Sequence, residues 1–265
     1  MRKRKSDAAE DDRQFITSLA RGLDVLRAFR PTDSAGLSNR ELGDRTGLPN
    51  STVSRLTYTL LQLGYLVYDE GTGRYRLGAP VLGLGYACLG GMKIVETAQV
   101  YMQRLADECG EGVTVALGGR DDRAMTYVAA ARSPGLVALT LNVGSRISLA
   151  RSSMGRAYLA AMEPERRETV LKMLAEHYGP EKWAEVLPGI EDAQRQIRTR
   201  GFYLNAGDWH AGVNSVGVPF RSPRPDTPLL AFNIGAPSYF LPRDELERKW
   251  GPRLMDMVRM IGRVG

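Results

Sequence analysis

The sequence predicts an α+β protein built in two parts: three short helices and a β-hairpin, then a larger region that mixes strands and helices. Three observations carry this expectation. Apolar residues recur at helical spacing as far as Leu63 and switch to period two just after Gly64. Beyond residue 92, strand-like and helical runs succeed one another without regular alternation, which argues against a doubly wound parallel sheet. A chain of 265 residues, 43% apolar and 25% charged, is long enough for two domains with cores of their own.

Residues 1–14 are polar and of mixed charge, and they are expected to form a disordered tail whose Arg2-Lys3-Arg4-Lys5 cluster is solvated. Leu19, Leu23, Leu26 and Phe29 mark a first helix, stopped by Pro31. Ser38-Asn39-Arg40-Glu41 reads as a capping box opening a short second helix that ends at Gly47. Leu48-Pro49-Asn50 makes the turn, and Asn50 or Ser51 is expected to cap a third helix running to Leu63. On that helix Val53, Leu56, Leu60 and Leu63 form one apolar stripe, and Ser51, Ser54, Arg55, Tyr58 and Gln62 the opposite face. That face has donors, acceptors and a cation but no acid, which suits a nucleic-acid groove better than a salt-bridged solvent face. An ordinary amphipathic surface helix is the plain alternative. The hairpin after Gly64 weighs against it: Tyr65–Tyr68 and Arg74–Leu77 flank the Gly-containing turn Asp69–Gly73, in the place of a wing. Helix, helix, tight turn, helix and wing make a winged helix-turn-helix over residues 15–78.

Residues 79–91 are Gly-rich and apolar, and on their own read as a packed linker helix with Leu82, Leu84, Tyr86 and Leu89. Ile94 to Cys109 is predicted as an amphipathic helix burying Val95, Ala98, Tyr101, Met102 and Leu105. Strands are expected at Val113–Leu117, Met125–Ala131 and Leu136–Val143, then helices at Ser152–Ala161, Glu165–Glu176 and Ile190–Arg200. Strands at Phe202–Leu204, Val213–Val218 and Leu229–Ile234, and a helix over Arg243–Ile261, complete the region 92–265.

Composition bounds the function. The net charge of +6 and pI near 9.4 allow an anionic partner. Residues 1–78 hold 13 Lys and Arg against 10 Asp and Glu, so half of the excess lies elsewhere and basicity does not locate a DNA site. Cys88 and Cys109 supply neither a disulfide framework nor a metal cluster. There is no membrane-length apolar run and no signal-peptide core, so a soluble, cytoplasmic protein is expected. No phosphate loop, nucleophile elbow or zinc spacing occurs, and no cofactor or metal is expected. His177 reads as a solvated helix end, His210 as a structural loop residue beside Asp208 and Trp209, and Asp121-Asp122 as a turn. A non-enzyme is expected; the alternatives are a hydrolase with an unrecognised site in the C-terminal region and a purely structural interaction module.

The runs SLARGLDVLRAF, LSNRELGDRTGLPNSTVSRL and LGYLVYDEGTGRYRLG resemble the DNA-binding domain of the IclR family of bacterial transcriptional regulators. The resemblance continues through GSRISLARSSMGRAYLA and GFYLNAGDWHAGVNSVGVPF to the closing helix, so it covers nearly everything after Thr17. It implies a GAF-like antiparallel sheet with helices on both sides and a ligand cavity on one face, in an effector-binding and oligomerisation domain over 92–265. It implies further that the 79–91 linker helps hold a homodimer, with a dimer of dimers by the same resemblance. The partner is then double-stranded operator DNA, contacted by Arg40, Asn50, Ser51, Thr52, Ser54, Arg55, Tyr58 and Arg74, with Arg55 the candidate for guanine.

The same resemblance places an effector site at Arg151, Ser153, Met154 and Gly155, at Asn205 and Ser215, and at Asn233 and Gly235. Asn205 stands where relatives often have Asp, Ser215 where they often have Cys, and Asn233 and Gly235 where they often have Ser. Taken singly these residues have plainer readings: a helix cap at Ser152, a turn at Asn205, a strand position at Asn233. Loss of the acid at 205 and the fork of Arg151 point to a small organic acid, with Arg151 taking the carboxylate; Ser-Met-Gly-Arg at 153–156 resembles relatives that sense aromatic acids, which implies an aromatic one. Ligand-responsive control of a catabolic operon, by repression or activation, is the function the resemblance implies.

Overall fold

A computed structural model describes residues 15–136, 139–224 and 227–264. The chain divides into two compact units, Met1–Gly90 and Gly91–Gly265, so the linker helix belongs with the first. The expected tail at 1–14 lies outside the described residues.

In the first unit, α1 (Thr17–Arg27), α2 (Asn39–Thr46) and α3 (Asn50–Gln62) pack around Val25, Leu37, Leu42, Val53 and Leu66. The buried side of α1 is Val25 with Leu26, and Phe29 just beyond its end packs against the same cluster, while Leu19 and Leu23 face outward. Ser38 and Glu41 close a reciprocal capping box on α2, and Gly47 ends that helix in the left-handed conformation, φ 70°. The cap expected for α3 is different. Its N-cap is Pro49, with no side-chain cap; the Pro49 carbonyl accepts from Thr52 and Val53, and Asn50 and Ser51 are already helical. Proline suits this place because its locked φ leads into the helix. Strands β1 (Leu66–Asp69) and β2 (Arg74–Leu77) pair antiparallel from Leu66 opposite Leu77 to Asp69 opposite Arg74. The Asp69 carboxylate accepts from the backbone of Gly71 and Thr72 and so shapes the turn. The last element, α4 (Ala79–Gly90), buries none of its residues. Leu82 is 68% and Tyr86 73% exposed, so these side chains, expected to be packed, are not buried among the described residues.

The second unit is one six-stranded, wholly antiparallel sheet in the order β5-β4-β3-β8-β7-β6, with helices on both faces. Its strands are β3 (Thr114–Asp121), β4 (Ala124–Arg132), β5 (Arg146–Ser148), β6 (Tyr203–Ala206), β7 (Val213–Phe220) and β8 (Leu230–Pro237). One face carries α5 (Ile94–Cys109) and the C-terminal segment: α8 (Arg243–Glu245), a π-helical turn at Leu246–Trp250, and α9 (Gly251–Val264). The other carries α6 (Ser153–Ala161) and part of α7 (Pro164–Arg200). On α5, Ile94, Ala98, Met102, Leu105 and Ala106 are buried, with Val95 and Tyr101 packed at the edge.

Three expectations need correction. The described residues of the run 136–143 form no strand, and Val137 and Ala138 lie outside the described residues; the extra strand is β5, paired to Ala124–Thr126. The helices expected at 165–176 and 190–200 belong to one helical range that turns only at Gly179, φ 73°. The single closing helix is interrupted by the π turn.

Candidate DNA interface and candidate ligand pocket

On α3, Val53 and Thr57 are buried while Ser51, Ser54, Arg55, Tyr58 and Gln62 are exposed, so the helix presents the acid-free face outward. The Arg55 guanidinium has no hydrogen-bond or ion-pair partner among the described residues. Arg40, in the first turn of α2, and Asn50, at the start of α3, are exposed, and Thr52 is half-buried. Some of the expected contact residues also hold the motif together. The Ser54 hydroxyl donates to Asn50 O (2.9 Å), and Asn39 Nδ2 donates to the same carbonyl (3.2 Å). Arg74 is committed inside the unit: Nη1 donates to Gly36 O at 2.7 Å and lies 3.1 Å from Glu41 Oε2. That fixes the wing to the start of α2, so Arg74, a third exposed, has a positioning role within the motif. The loop before α2 is clamped as well. Arg45 forks onto Asp33 at 2.6 and 2.9 Å and donates to Ala28 O, and its hydrogen bonds hold the Asp33 carboxyl down at about 2.

In the second unit the ladder registers bring the expected pocket residues onto one sheet face. Directly opposed residues on antiparallel strands share a face. Asn205 is opposite Ser215, Ser215 opposite Gly235, and Gly235 opposite Thr114, which gives one row across four strands. The next row runs Tyr203, Gly217, Asn233, Ala116. Two glycines let the N-terminal turn of α6 settle on this face: a Cβ at Gly217 would overlap the Ser153 carbonyl, and one at Gly118 would lie 2.5 Å from Met154 Sδ. Ser152 caps α6 by accepting from Gly155 N at 3.0 Å. Gly155 itself has no room for a side chain beside Leu149, so its part is close packing of the helix start.

Two buried polar atoms on this face, Ser153 Oγ and Asn233 Oδ1, have no hydrogen-bond partner among the described residues. Asn233 Nδ2 reaches only the Tyr127 hydroxyl, at 3.5 Å, and burial of Tyr127 pushes that phenol up to about 12, so it stays neutral. The Asn205 amide ties two loops, donating to Arg151 O (2.8 Å) and accepting from Trp209 N (3.4 Å). Arg151 is exposed, and its Nε donates to Asp208 O at 3.0 Å, which fastens it to the 207–212 loop at the rim of this face.

Residues not singled out from the sequence complete the site. Arg156 is buried under α6, donates to Ala150 O at 2.9 Å and pairs with Asp208 Oδ2 and the Tyr203 hydroxyl. It thereby holds the 207–212 loop that carries Trp209 against this side of the sheet. The histidines stay apart. His177, exposed near the turn of α7, meets Arg123, and His210 Nδ1 accepts from Gly212 N at 3.4 Å.

A winged helix-turn-helix joined to a sheet domain with a polar, partly unsatisfied face defines the class of DNA-binding regulators that carry an effector domain. Comparison with known proteins gives the family. Residues 18–70 match the IclR helix-turn-helix domain, and residues 86–263 match the bacterial transcriptional regulator IclR C-terminal domain. Over 249 residues the chain is 32% identical to the HTH-type transcriptional regulator TsaQ1/TsaQ2 of Comamonas testosteroni, covering 93% of this chain and 87% of that protein. It is 31% identical over 260 residues to the Pca regulon regulatory protein of Pseudomonas putida, covering 95% and 85%. A crystal structure of an IclR family transcriptional regulator from Brucella abortus superposes with a TM-score of 0.85 at 43% identity, covering 96% of this chain and 94% of that one. The chain belongs to the IclR family of bacterial transcriptional regulators. No helix among the described residues is long and apolar enough to cross a membrane.

Proposed function

We propose that this regulator controls a catabolic operon and that a small organic acid, aromatic acids included, sets its affinity for operator DNA. One observation carries the effector half of this reading: Ser153 Oγ and Asn233 Oδ1 are buried without partners among the described residues, on a sheet face whose neighbours are Asn205, Ser215 and Gly235. Leaving a buried polar group unsatisfied costs about 1–3 kcal/mol, which a ligand with matching groups returns. The DNA half rests on the exposed, acid-free face of α3, with Arg55 and Tyr58 foremost and Ser51, Thr52, Ser54, Asn50 and Arg40 around them. Bound effector favours one arrangement of the recognition helices over another and so changes the population that fits the operator.

Assembly belongs to the same proposal. Phe15, Ile16, Leu19 and Leu23 around α1, and Leu82, Leu84 and Tyr86 on α4, leave apolar surface that a second copy would cover. One recognition helix reads too few bases for tight specific binding, and a symmetric dimer or dimer of dimers supplies the second half-site. Two measurements test the proposal. Mobility shifts on the gene's own upstream DNA, across a panel of organic acids, should show affinity responding to an acid and to no neutral analogue. Light scattering at micromolar concentration should give a dimer or tetramer; a monomer that binds operator one-to-one overturns the assembly.

A further inference from the structure

Between the end of β7 and the last turns of α9 lies an open groove of about 430 Å³. Its floor is apolar, made by Phe220 and Val258, both buried, with Gly262 beside them. Gly262 is helical and its φ is not positive, so the backbone does not demand glycine there. Packing does not demand it either, since a Cβ at 262 would make only ordinary contact with the Phe220 ring, at 3.7 Å. With glycine in that place the edge of the ring stays open to the groove.

The charged groups along the groove are all cations. Arg259 and Arg263 stand one turn apart on α9 and form one rim, and Arg221, just past the end of β7, stands on the other side. No acid lines the groove among the described residues. Arg263 has no hydrogen-bond or ion-pair partner among those residues. Arg259 lies 3.5 Å from Asp256 Oδ1 and 3.6 Å from Met255 Sδ. An exposed pair of that length is worth little in water. Arg221 is the fixed member: it donates to Ala161 O and, at 2.8 Å, to Glu163 Oε1. Like charges one turn apart on a helix repel each other, a cost that an acid bound between them removes.

The spacing of the cations indicates what kind of anion fits. Helical rise sets Arg259 and Arg263 about 6 Å apart along α9. In an extended peptide the residues i and i+2 point the same way and lie about 6.6 Å apart, while the residue between them points the other way. Two acids of an extended segment therefore reach the rim together, and the intervening side chain turns down to Phe220 and Val258. A single phosphate would instead call for guanidinium groups converging on one point.

We propose that this groove docks an acidic segment of a partner protein in extended form, its acids at i and i+2 paired to Arg259 and Arg263 and an apolar residue between them on the floor. The site shares no residue with the polar face under α6 or with the exposed face of α3, so its test stands apart from theirs.

The probe is a rhodamine-labelled Gly-Asp-Leu-Asp-Gly peptide, followed by anisotropy with the full-length protein at low salt. Gly-Asn-Leu-Asn-Gly and Gly-Asp-Gly-Asp-Gly carry the same label as controls. The Asp-Leu-Asp peptide should bind, lose affinity as salt rises, and bind at least about 5-fold tighter than its amide counterpart. Arg259→Gln and Arg263→Gln should each weaken it about 2- to 5-fold, the range of an exposed ion pair, and the double variant about 10-fold. Gly262→Leu fills the floor and should erase the preference for Asp-Leu-Asp over Asp-Gly-Asp. Operator affinity of the double arginine variant should match wild type. No binding of the acidic peptide at millimolar concentration, or equal binding of its amide counterpart, overturns the docking site. So does acidic-peptide affinity that is unchanged in the double variant. Equal binding of Asp-Leu-Asp and Asp-Gly-Asp to wild type overturns the apolar middle residue, and needs no variant to fold. Weaker operator binding by the double variant assigns the two arginines to DNA phosphates and overturns the peptide as occupant.

Discussion

Removing the Asp208 carboxylate isolates the contribution of the clamp between α6 and the Trp209 loop. Arg156 has a side chain only 4% exposed, and its ionic partner is Asp208 at 2.5 Å, itself 48% exposed. Breaking a fully buried pair costs about 3–5 kcal/mol. Water reaches Asp208, and Arg156 keeps the Ala150 carbonyl and the Tyr203 hydroxyl, so about 2 kcal/mol is the expected loss in Asp208→Ala. For a unit of this size that corresponds to a Tm lowered by about 4–8 °C. Asp208→Asn keeps a hydrogen-bond acceptor and should lose about half as much. The assay is simple because Trp183, Trp209 and Trp250, the chain's 3 tryptophans, all lie in the second unit, so intrinsic emission follows that unit alone. Thermal melts of wild type, Asp208→Asn and Asp208→Ala should fall in that order. Operator affinity without effector should stay near wild type, and effector response should weaken in the same order. An Asp208→Ala melt within 1 °C of wild type would refute the clamp.

The geometry sets three further outcomes. Arg55→Ala should cost about 1–3 kcal/mol of operator affinity and relax preference at one base pair; unchanged affinity and preference in mobility shifts would remove Arg55 from the readout. The Asp33 carboxyl is held at about 2 against a usual 3.8, chiefly by the Arg45 hydrogen bond. A folded pKa below the unfolded one gives stabilisation that is complete above pH 4 and lost as pH falls towards 2. Screened by solvent this is about 1 kcal/mol, so Asp33→Asn should be less stable at pH 7 and flatter in acid, measured by circular dichroism of the first unit's helices. Burial pushes the Cys109 thiol up to about 12, so alkylation at pH 8 should spare it until the fold is lost; rapid modification of Cys109 in the folded protein, seen by mass spectrometry, would contradict that.

The local motifs were legible because their signals are short-range. The Ser38–Glu41 box, the Gly47 stop and the Asp69–Gly73 turn are set by residues within a few positions of one another, and all three appear as read. The amphipathic range Ile94–Cys109 was equally plain from its apolar period. Long helices with internal prolines were not. Helices were expected only over Glu165–Glu176 and Ile190–Arg200, yet Gly179 only bends α7 and Pro180 opens its second segment at 180–200, where no amide is missed. Strand β5 has three residues and pairs only one margin, too short to show a period. The site shows the same division. Asn205, Ser215, Asn233 and Gly235 were read from family resemblance, and the registers place them on one face. The shared facing of Tyr127 and Arg132 was not legible, because an alternating strand hides a bulge: Leu117 pairs with Ala129 and Gly118 with Tyr127, so the shift at Val128 is a property of the pairing, and no residue type in β4 announces it.

Helix α4 has 12 residues, three of them glycine, and none buried. Isolated helices of that length are marginal in water, and each interior glycine costs about 1 kcal/mol relative to alanine. Neither propensity nor packing among the described residues accounts for its helicity. In the proposed assembly a second copy covers its leucines and Tyr86 and provides it, so order in this segment becomes a mass-action quantity that tracks protomer concentration. Dilution should unwind α4 and weaken operator binding over the same concentration range, with the three-helix core around Val53 still intact. Operator titrations at nanomolar protein would then report assembly and DNA contact together, and an apparent affinity would hold only for the concentration at which it was taken.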